Sequence, residues 1–243
     1  MTLIQRRGWM VRQARLVTGV ATGVGAAGFL PVFIPAAHAG SQLEEPLADA
    51  VRNALRLAVA QAAPPEPEFP TTGARLHYVR WLVEMAVRLT RHHVDWRERK
   101  EFLQTVWYEA KRAGLDPGLV LGLIQVESGF RKFVVSPVGA RGYMQVMPFW
   151  SRLIGDGDPG KLFHMQTNLR FGCVILRHYI DREKGDLFMG LGRYNGSRGR
   201  PEYPNAVFAA ARRWEFKDKP PEAPVGTPAP TGPSSAGPLG RSV

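Results

Sequence analysis

The sequence predicts a mainly α-helical protein with a disordered C-terminal tail. Three observations carry this reading. Apolar residues recur at i, i+3, i+4 spacing through most of the middle of the chain, and no stretch alternates convincingly as a strand does. Residues that start and stop helices stand at the ends of these periodic runs. Prolines collect in two places outside them: four lie between Ala62 and Gly73, and seven lie between Lys217 and Val243.

Taken in order, Leu43–Ala62 has the pattern of a short amphipathic helix. Ala74–Arg91 is a second, with Leu76, Val79, Leu82, Val83, Met85, Ala86 and Leu89 as its apolar positions. Trp96–Arg112 is a third, with Phe102, Val106, Trp107 and Ala110 as its stripe and Gly114 to close it. Asp116-Pro117 opens a fourth, since Asp is a good N-cap and Pro suits the first turn. This helix runs through Leu119, Val120, Leu121, Leu123, Ile124 and Val126 to Glu127. It is apolar nearly all round, which predicts a buried central helix. Gln166–Arg182, Asp186–Asn195 and Pro204–Trp214 complete the set.

The ends read differently. Arg6, Arg7, Arg12 and Arg15 precede an uncharged run, Leu16–Ile34, and then Ala37-His38-Ala39 before Gly40. A basic leader, an apolar run and a small-x-small site describe a secretory signal peptide over 1–39. The run is also long enough for an uncleaved anchor, but four glycines and Pro31 weaken it as a stable helix. The motif Gly23-Val24-Gly25-Ala26-Ala27-Gly28 fits a dinucleotide fingerprint, yet it lies inside this leader and lacks the strand–helix context the fingerprint needs. Residues 217–243 are too rich in Pro, Gly, Ser and Thr to bury a core.

Charge and cysteine bound the function. The 243 residues carry 32 Lys and Arg against 21 Asp and Glu, a net charge of +11. The leader holds four of those arginines and no acid, so the rest carries 28 against 21, or +7. Such a surface favours polyanions. The only cysteine, Cys173, excludes an intramolecular disulfide and any multi-cysteine metal centre. It follows Gly172 in a helix, the setting of a buried inert thiol. His92-His93 lacks a third ligand at suitable spacing, so no metal or other cofactor is expected.

Glu127 is the residue that stands out. It ends the buried helix, on the face shared by Leu123 and Ile124. Desolvation there raises a carboxyl pKa, and the negative end of the helix dipole raises it further. A carboxyl kept protonated near neutral pH is what a general acid needs. The alternative is an exposed helix-end Glu, or one paired with Arg131 or Lys132; position alone leaves both open. From Ser128 to Gly155 there is no Asp or Glu. That stretch holds Ser136-Pro137-Val138-Gly139-Ala140 and Gly142-Tyr143-Met144-Gln145-Val146-Met147-Pro148, which suit either a ligand-facing loop or a tight connection.

Glu127-Ser128-Gly129-Phe130, these two blocks and Tyr194-Asn195-Gly196 together resemble the lytic transglycosylases of the soluble-transglycosylase (SLT), goose-lysozyme-like type. The resemblance covers about Trp96 to Trp214, roughly half the chain. The four blocks are weak singly and specific jointly. Two departures occur: Tyr143 stands where the family usually has Leu, and Arg193-Tyr194-Asn195-Gly196-Ser197 replaces Ala-Tyr-Asn-Ala-Gly.

The resemblance implies a lysozyme-like α-helical catalytic domain over 95–216, preceded by a helical extension with a proline-rich linker over 40–94. It implies cleavage of the β-1,4 bond between N-acetylmuramic acid and N-acetylglucosamine in peptidoglycan without water, leaving 1,6-anhydro ends. Glu127 becomes the sole catalytic acid and base. Ser136 is expected to hydrogen-bond near it. Met144, Gln145 and Met147 are expected to line the sugar cleft, and Tyr194 and Asn195 to contact the sugar or its N-acetyl group. Tyr203 is expected to border the cleft. The partners expected are peptidoglycan glycan strands, with an envelope protein reached through the N-terminal helices or the tail, and no nucleic acid. The location expected is the periplasm or cell envelope. A hydrolytic muramidase of the same fold and a non-catalytic wall-binding scaffold are the competing readings.

Overall fold

The computed structural model describes residues 42–60, 68–93 and 95–218. All lie in the larger of two units into which the chain divides, Ala36–Val243. The expected signal peptide, most of the proline-rich linker and the tail from 219 onward lie outside the described residues.

Eight α-helices are described: α1 (Asp49–Ala60), α2 (Thr72–Arg88), α3 (Trp96–Arg112), α4 (Pro117–Ser128), α5 (Phe149–Ile154), α6 (Met165–Arg182), α7 (Leu187–Asn195) and α8 (Glu202–Ala211). Short 3-10 turns follow α2 (Leu89–Arg91), precede α6 (Pro159–Phe163) and follow α8 (Arg212–Trp214). Among the described residues there is no β-strand, only the isolated bridges Val135–Arg141 and Arg141–Val146. The protein is mainly α, as the periodicity predicts.

Side-chain caps fix the helix starts. Asp95, Asp116 and Asp186 accept from the backbone N–H groups of Glu98, Leu119 and Met189, each at 2.9 Å, satisfying donors the helices cannot. Helix α4 is sheathed on all sides. Leu121, Leu123 and Ile124 are wholly buried, and α8 crosses α4 so closely that a Cβ on Gly122 would lie 2.5 Å from the Ala211 nitrogen. A glycine is required at that crossing. α6 contributes Leu169, Cys173, Ile175 and Leu176 to the same core.

Three expectations need correction. α1 begins at Asp49, not Leu43; Pro46 holds the residue before it out of the helical region, and the irregular segment leading in still buries Leu47. On α2 the buried face is Tyr78, Trp81, Leu82, Met85 and Ala86, continued by Leu89 in the 3-10 turn, whereas Leu76, Val79 and Val83 are exposed. Aromatic packing decides the rotation: Trp81 and Tyr78 meet Trp107 of α3 at ring-centroid distances of 4.7 and 5.2 Å. α5 and the 159–163 turn lie in what the sequence left as loop.

Beneath α3 and α6, Glu109 is buried with Arg170, whose Nε donates to its Oε1 at 2.9 Å, and with Arg112, whose Nη1 donates to its Oε2 at 3.2 Å. Arg112 also donates to the Ala58 carbonyl of α1. After α8 the chain folds back on α2. Arg80 makes a two-pronged pair with Asp218 at 2.6 and 2.8 Å, and His77 joins it at 2.8 Å. The Arg80 guanidinium holds the Asp218 carboxyl down at a pKa of about 2.

Candidate active site

The site is built where α4 ends. Gly129 adopts φ 58° and stops the helix one turn past Gln125, whose carbonyl accepts from its N–H. This leaves Glu127 in the last turn, 5% exposed. Tyr203, at the start of α8, donates its hydroxyl to Glu127 Oε1 at 2.5 Å. Glu127 Oε2 is buried and has no hydrogen-bond partner among the described residues. Burial raises the Glu127 pKa to about 8, and the Tyr203 hydrogen bond opposes this only in part. Burial and the neighbouring carboxyl push the Tyr203 phenol up as well. No described acid pairs with Arg131 or Lys132, and Arg131 Nε instead donates to the Ser128 carbonyl at 2.9 Å. A buried, hydrogen-bonded carboxyl is therefore observed, not an exposed helix-end ion pair.

The acid-free stretch after α4 is a tight loop with its own polar scaffold. Arg141 and Val146 exchange backbone hydrogen bonds at 3.0 Å. Gln145 is fully buried with φ 47°, a left-handed conformation that costs a non-glycine residue about 1–3 kcal/mol. Its Nε2 donates to the Gly142 and Val134 carbonyls at 2.9 and 3.1 Å. Its Oε1, like Glu127 Oε2, is buried without a partner. Both are groups a polar ligand would satisfy, Gln145 Oε1 as an acceptor and Glu127 Oε2 as a donor while it carries the proton.

The remaining expected site residues take these places. Ser136 Oγ accepts from the Ala140 N–H at 3.0 Å and so braces its own turn; the hydrogen bond to Glu127 comes from Tyr203. Met144 is buried against Gly172, where a Cβ would lie 2.3 Å from its sulfur. Met147 is half-buried. Tyr194 is fully buried and donates its hydroxyl to the Met144 carbonyl at 2.7 Å, tying α7 to the loop. Asn195 is buried in the last residue of α7. The departure at Arg193 faces away into a salt-bridge cluster with Glu183 and Glu45, and Tyr143 packs 5.0 Å from Phe102.

Sequence reasoning missed Asn168 of α6. It is fully buried, accepts from the Met144 N–H at 2.8 Å, and donates to the Arg141 and Leu162 carbonyls, each at 2.8 Å. Gly142, at φ 75°, exists to admit it, because a Cβ there would lie 2.5 Å from Asn168 Nδ2. Asn168 stands in the polar first turn of α6, Gln166-Thr167-Asn168, where nothing in the local pattern marks it as buried. Cavity size does not find the site. A cavity of about 790 Å³ lies between α2 and residues 212–218, but its acids Glu84, Glu215 and Asp218 all reach solvent.

The helical scaffold thus buries the Glu127 carboxyl, with Tyr203 on one of its oxygens, beside a polar loop that carries no acid. Residues 104–215 match the family model described as Transglycosylase SLT domain. Relatives agree. Membrane-bound lytic murein transglycosylase C of Actinobacillus pleuropneumoniae is 34% identical over 110 residues, 42% of this chain and 30% of that protein. The Haemophilus ducreyi protein of the same name is 38% identical over 119 residues, 44% of this chain and 32% of its own length. A transglycosylase of Enterobacteria phage PRD1 is 30% identical over 103 residues, 42% of this chain and 37% of that protein. The matched segment thus spans about a third of these relatives. A solved structure of an inactive mutant of lytic transglycosylase Slt from Pseudomonas aeruginosa aligns with TM-score 0.41 and 22% identity, covering 58% of this chain and 29% of that one.

Proposed function

We propose that this protein is a peptidoglycan lytic transglycosylase, cutting the bond between N-acetylmuramic acid and N-acetylglucosamine and leaving 1,6-anhydro ends. The observation that carries the reading is Glu127: buried, held at Oε1 by Tyr203, open at Oε2, and with a pKa near 8. At neutral pH such a carboxyl is protonated and serves as general acid. Its proton passes to the glycosidic oxygen as the bond to C1 breaks. The resulting carboxylate then takes the proton of the C6 hydroxyl as that oxygen closes on C1. The proton returns to Glu127 and no water is consumed.

Glycosidases of the usual design place two carboxyls about the bond. The loop from Ser128 to Gly155 supplies none, which favours the sugar's own N-acetyl group as the partner that steadies positive charge at C1. Gln145 Oε1, buried without a partner, is suited to accept from an amide or hydroxyl of the sugar, and Met147 and Asn195 are assigned to sugar binding with it. Ser136, Met144 and Tyr194 act as positioning residues that hold the loop. An envelope location follows from the substrate and from the leader-like residues 1–39. No helix among the described residues is long and apolar enough to cross a membrane.

Clearing of purified peptidoglycan tests the assignment. Glu127→Gln keeps shape and burial but cannot deliver the proton, so its rate should fall at least about 100-fold. Clearing at the native rate by that variant would exclude Glu127 as the acid.

A further inference from the structure

The loop that follows Glu127 also presents a surface that the proposed chemistry does not use. Phe133 is 72% exposed, with Val135 and Val138 about half exposed beside it. Its ring lies 6.1 Å from that of Phe163. Lys132 Nζ stands 5.2 Å from the Phe133 ring centre, and the Arg141 guanidinium 5.5 Å from that of Phe163. Arg141 holds its place through Nη1, which donates to the Pro159 carbonyl at 2.8 Å. Arg131 adds a further cation, and the chain offers no acid between Ser128 and Gly155 to neutralise them. Phe133 exposes most of its ring while Phe163 is half-buried beside it, so the pair presents an apolar face flanked by cations.

This surface is continuous with the candidate site. The Val134 carbonyl, next to Phe133, accepts from both Gln145 Nε2 and the Gly142 N–H. Val135 bridges to Arg141, which bridges to Val146. We propose that Phe133 and Phe163, with Lys132 and Arg141, form an accessory subsite that stacks a sugar ring of the glycan and binds the carboxylates of its stem peptide. The aromatic rings suit the C–H face of a pyranose, and the cations suit the peptide carboxylates. The inference rests on the reading of peptidoglycan as substrate. Aromatic rings interleaved with cations also suit single-stranded nucleic acid; position on the loop between Glu127 and Gln145 favours the glycan.

The test uses the full chain carrying Glu127→Gln, so that binding is read without turnover. Calorimetric titration compares soluble glycan oligosaccharides bearing stem peptides with the same oligosaccharides stripped of them. The peptide-bearing form should bind roughly threefold to tenfold tighter. Adding Phe133→Ala should weaken both by a similar factor, while Phe133→Tyr should restore both. Adding Lys132→Gln should reduce the preference and leave binding of the stripped form intact. Phe133→Ala should leave Tm unchanged, since the ring is exposed. Equal affinity with and without Phe133, a preference unchanged by Lys132→Gln, or tighter Phe133-dependent binding of an oligothymidylate would each overturn the subsite. A parallel cleavage assay on the protein with Glu127 intact separates the two readings. Cleavage without Phe133-dependent binding removes the subsite alone. Phe133-dependent glycan binding without cleavage removes the activity alone.

Discussion

Glu127 holds a proton that the unfolded chain would release. Its pKa is about 8 in the fold against an ordinary 4.5, with burial as the cause. The folded state therefore binds more protons than the unfolded state between those values, and stability falls as pH rises from about 4.5 to about 8, then levels off. The full loss is up to about 5 kcal/mol. Glu127→Gln has no proton to lose, so denaturant unfolding should show it gaining on the native protein as pH rises through this window. With Glu127 as the proposed acid, kcat/KM should fall as pH rises through about 8. Tyr203 tunes this limb. Its hydroxyl favours the carboxylate form, so in Tyr203→Phe the limb should move to higher pH while kcat falls roughly tenfold from loss of orientation. A limb that stays in place in Tyr203→Phe would show that the hydrogen bond does not act on Glu127.

Elements matter here through how closely they pack. Gly122 lets α8 cross α4, and α8 is what brings Tyr203 to Glu127. Gly122→Ala should push the helices apart, costing about 1–3 kcal/mol in chemical unfolding and lowering activity although residue 122 touches no substrate. Asn168 joins α6 to the loop through three buried hydrogen bonds. Asn168→Ala should cost about 2–3 kcal/mol, taking the partner from the Met144 N–H and the Leu162 carbonyl while the Arg141 carbonyl keeps Val146, and should raise KM by freeing Gln145. Sequence reading reached α4 fully because its signals are local: Asp116, Pro117 and Gly129 each act within one turn. It did not reach α5, whose six residues are too few to show a period. It misjudged the face of α2 because that helix is apolar on two sides, and only Trp107 of α3 selects between them.

The whole molecule explains what sequence could not supply. Glu127 and its acid-free loop were legible because they adjoin along the chain. Its partner Tyr203 lies 76 residues away, and Asn168 acts 24 residues from Met144; only the folded core joins them. The buried Glu109 cluster does similar work at larger scale, tying α1, α3 and α6 together. Glu109→Gln takes the carboxylate from the buried Arg170 guanidinium and should cost about 3–5 kcal/mol in thermal or chemical unfolding without moving the pH limb set by Glu127. That contrast separates the scaffold from the chemistry it supports. The central claim is that one buried carboxyl closes the sugar on itself instead of activating water. Mass spectrometry of the fragments released from purified peptidoglycan tests it most directly. The native protein should release muramic ends one water lighter than hydrolysis gives, and Glu127→Gln should release none. Fragments at the full hydrolysed mass, or unchanged release by the variant, would contradict it.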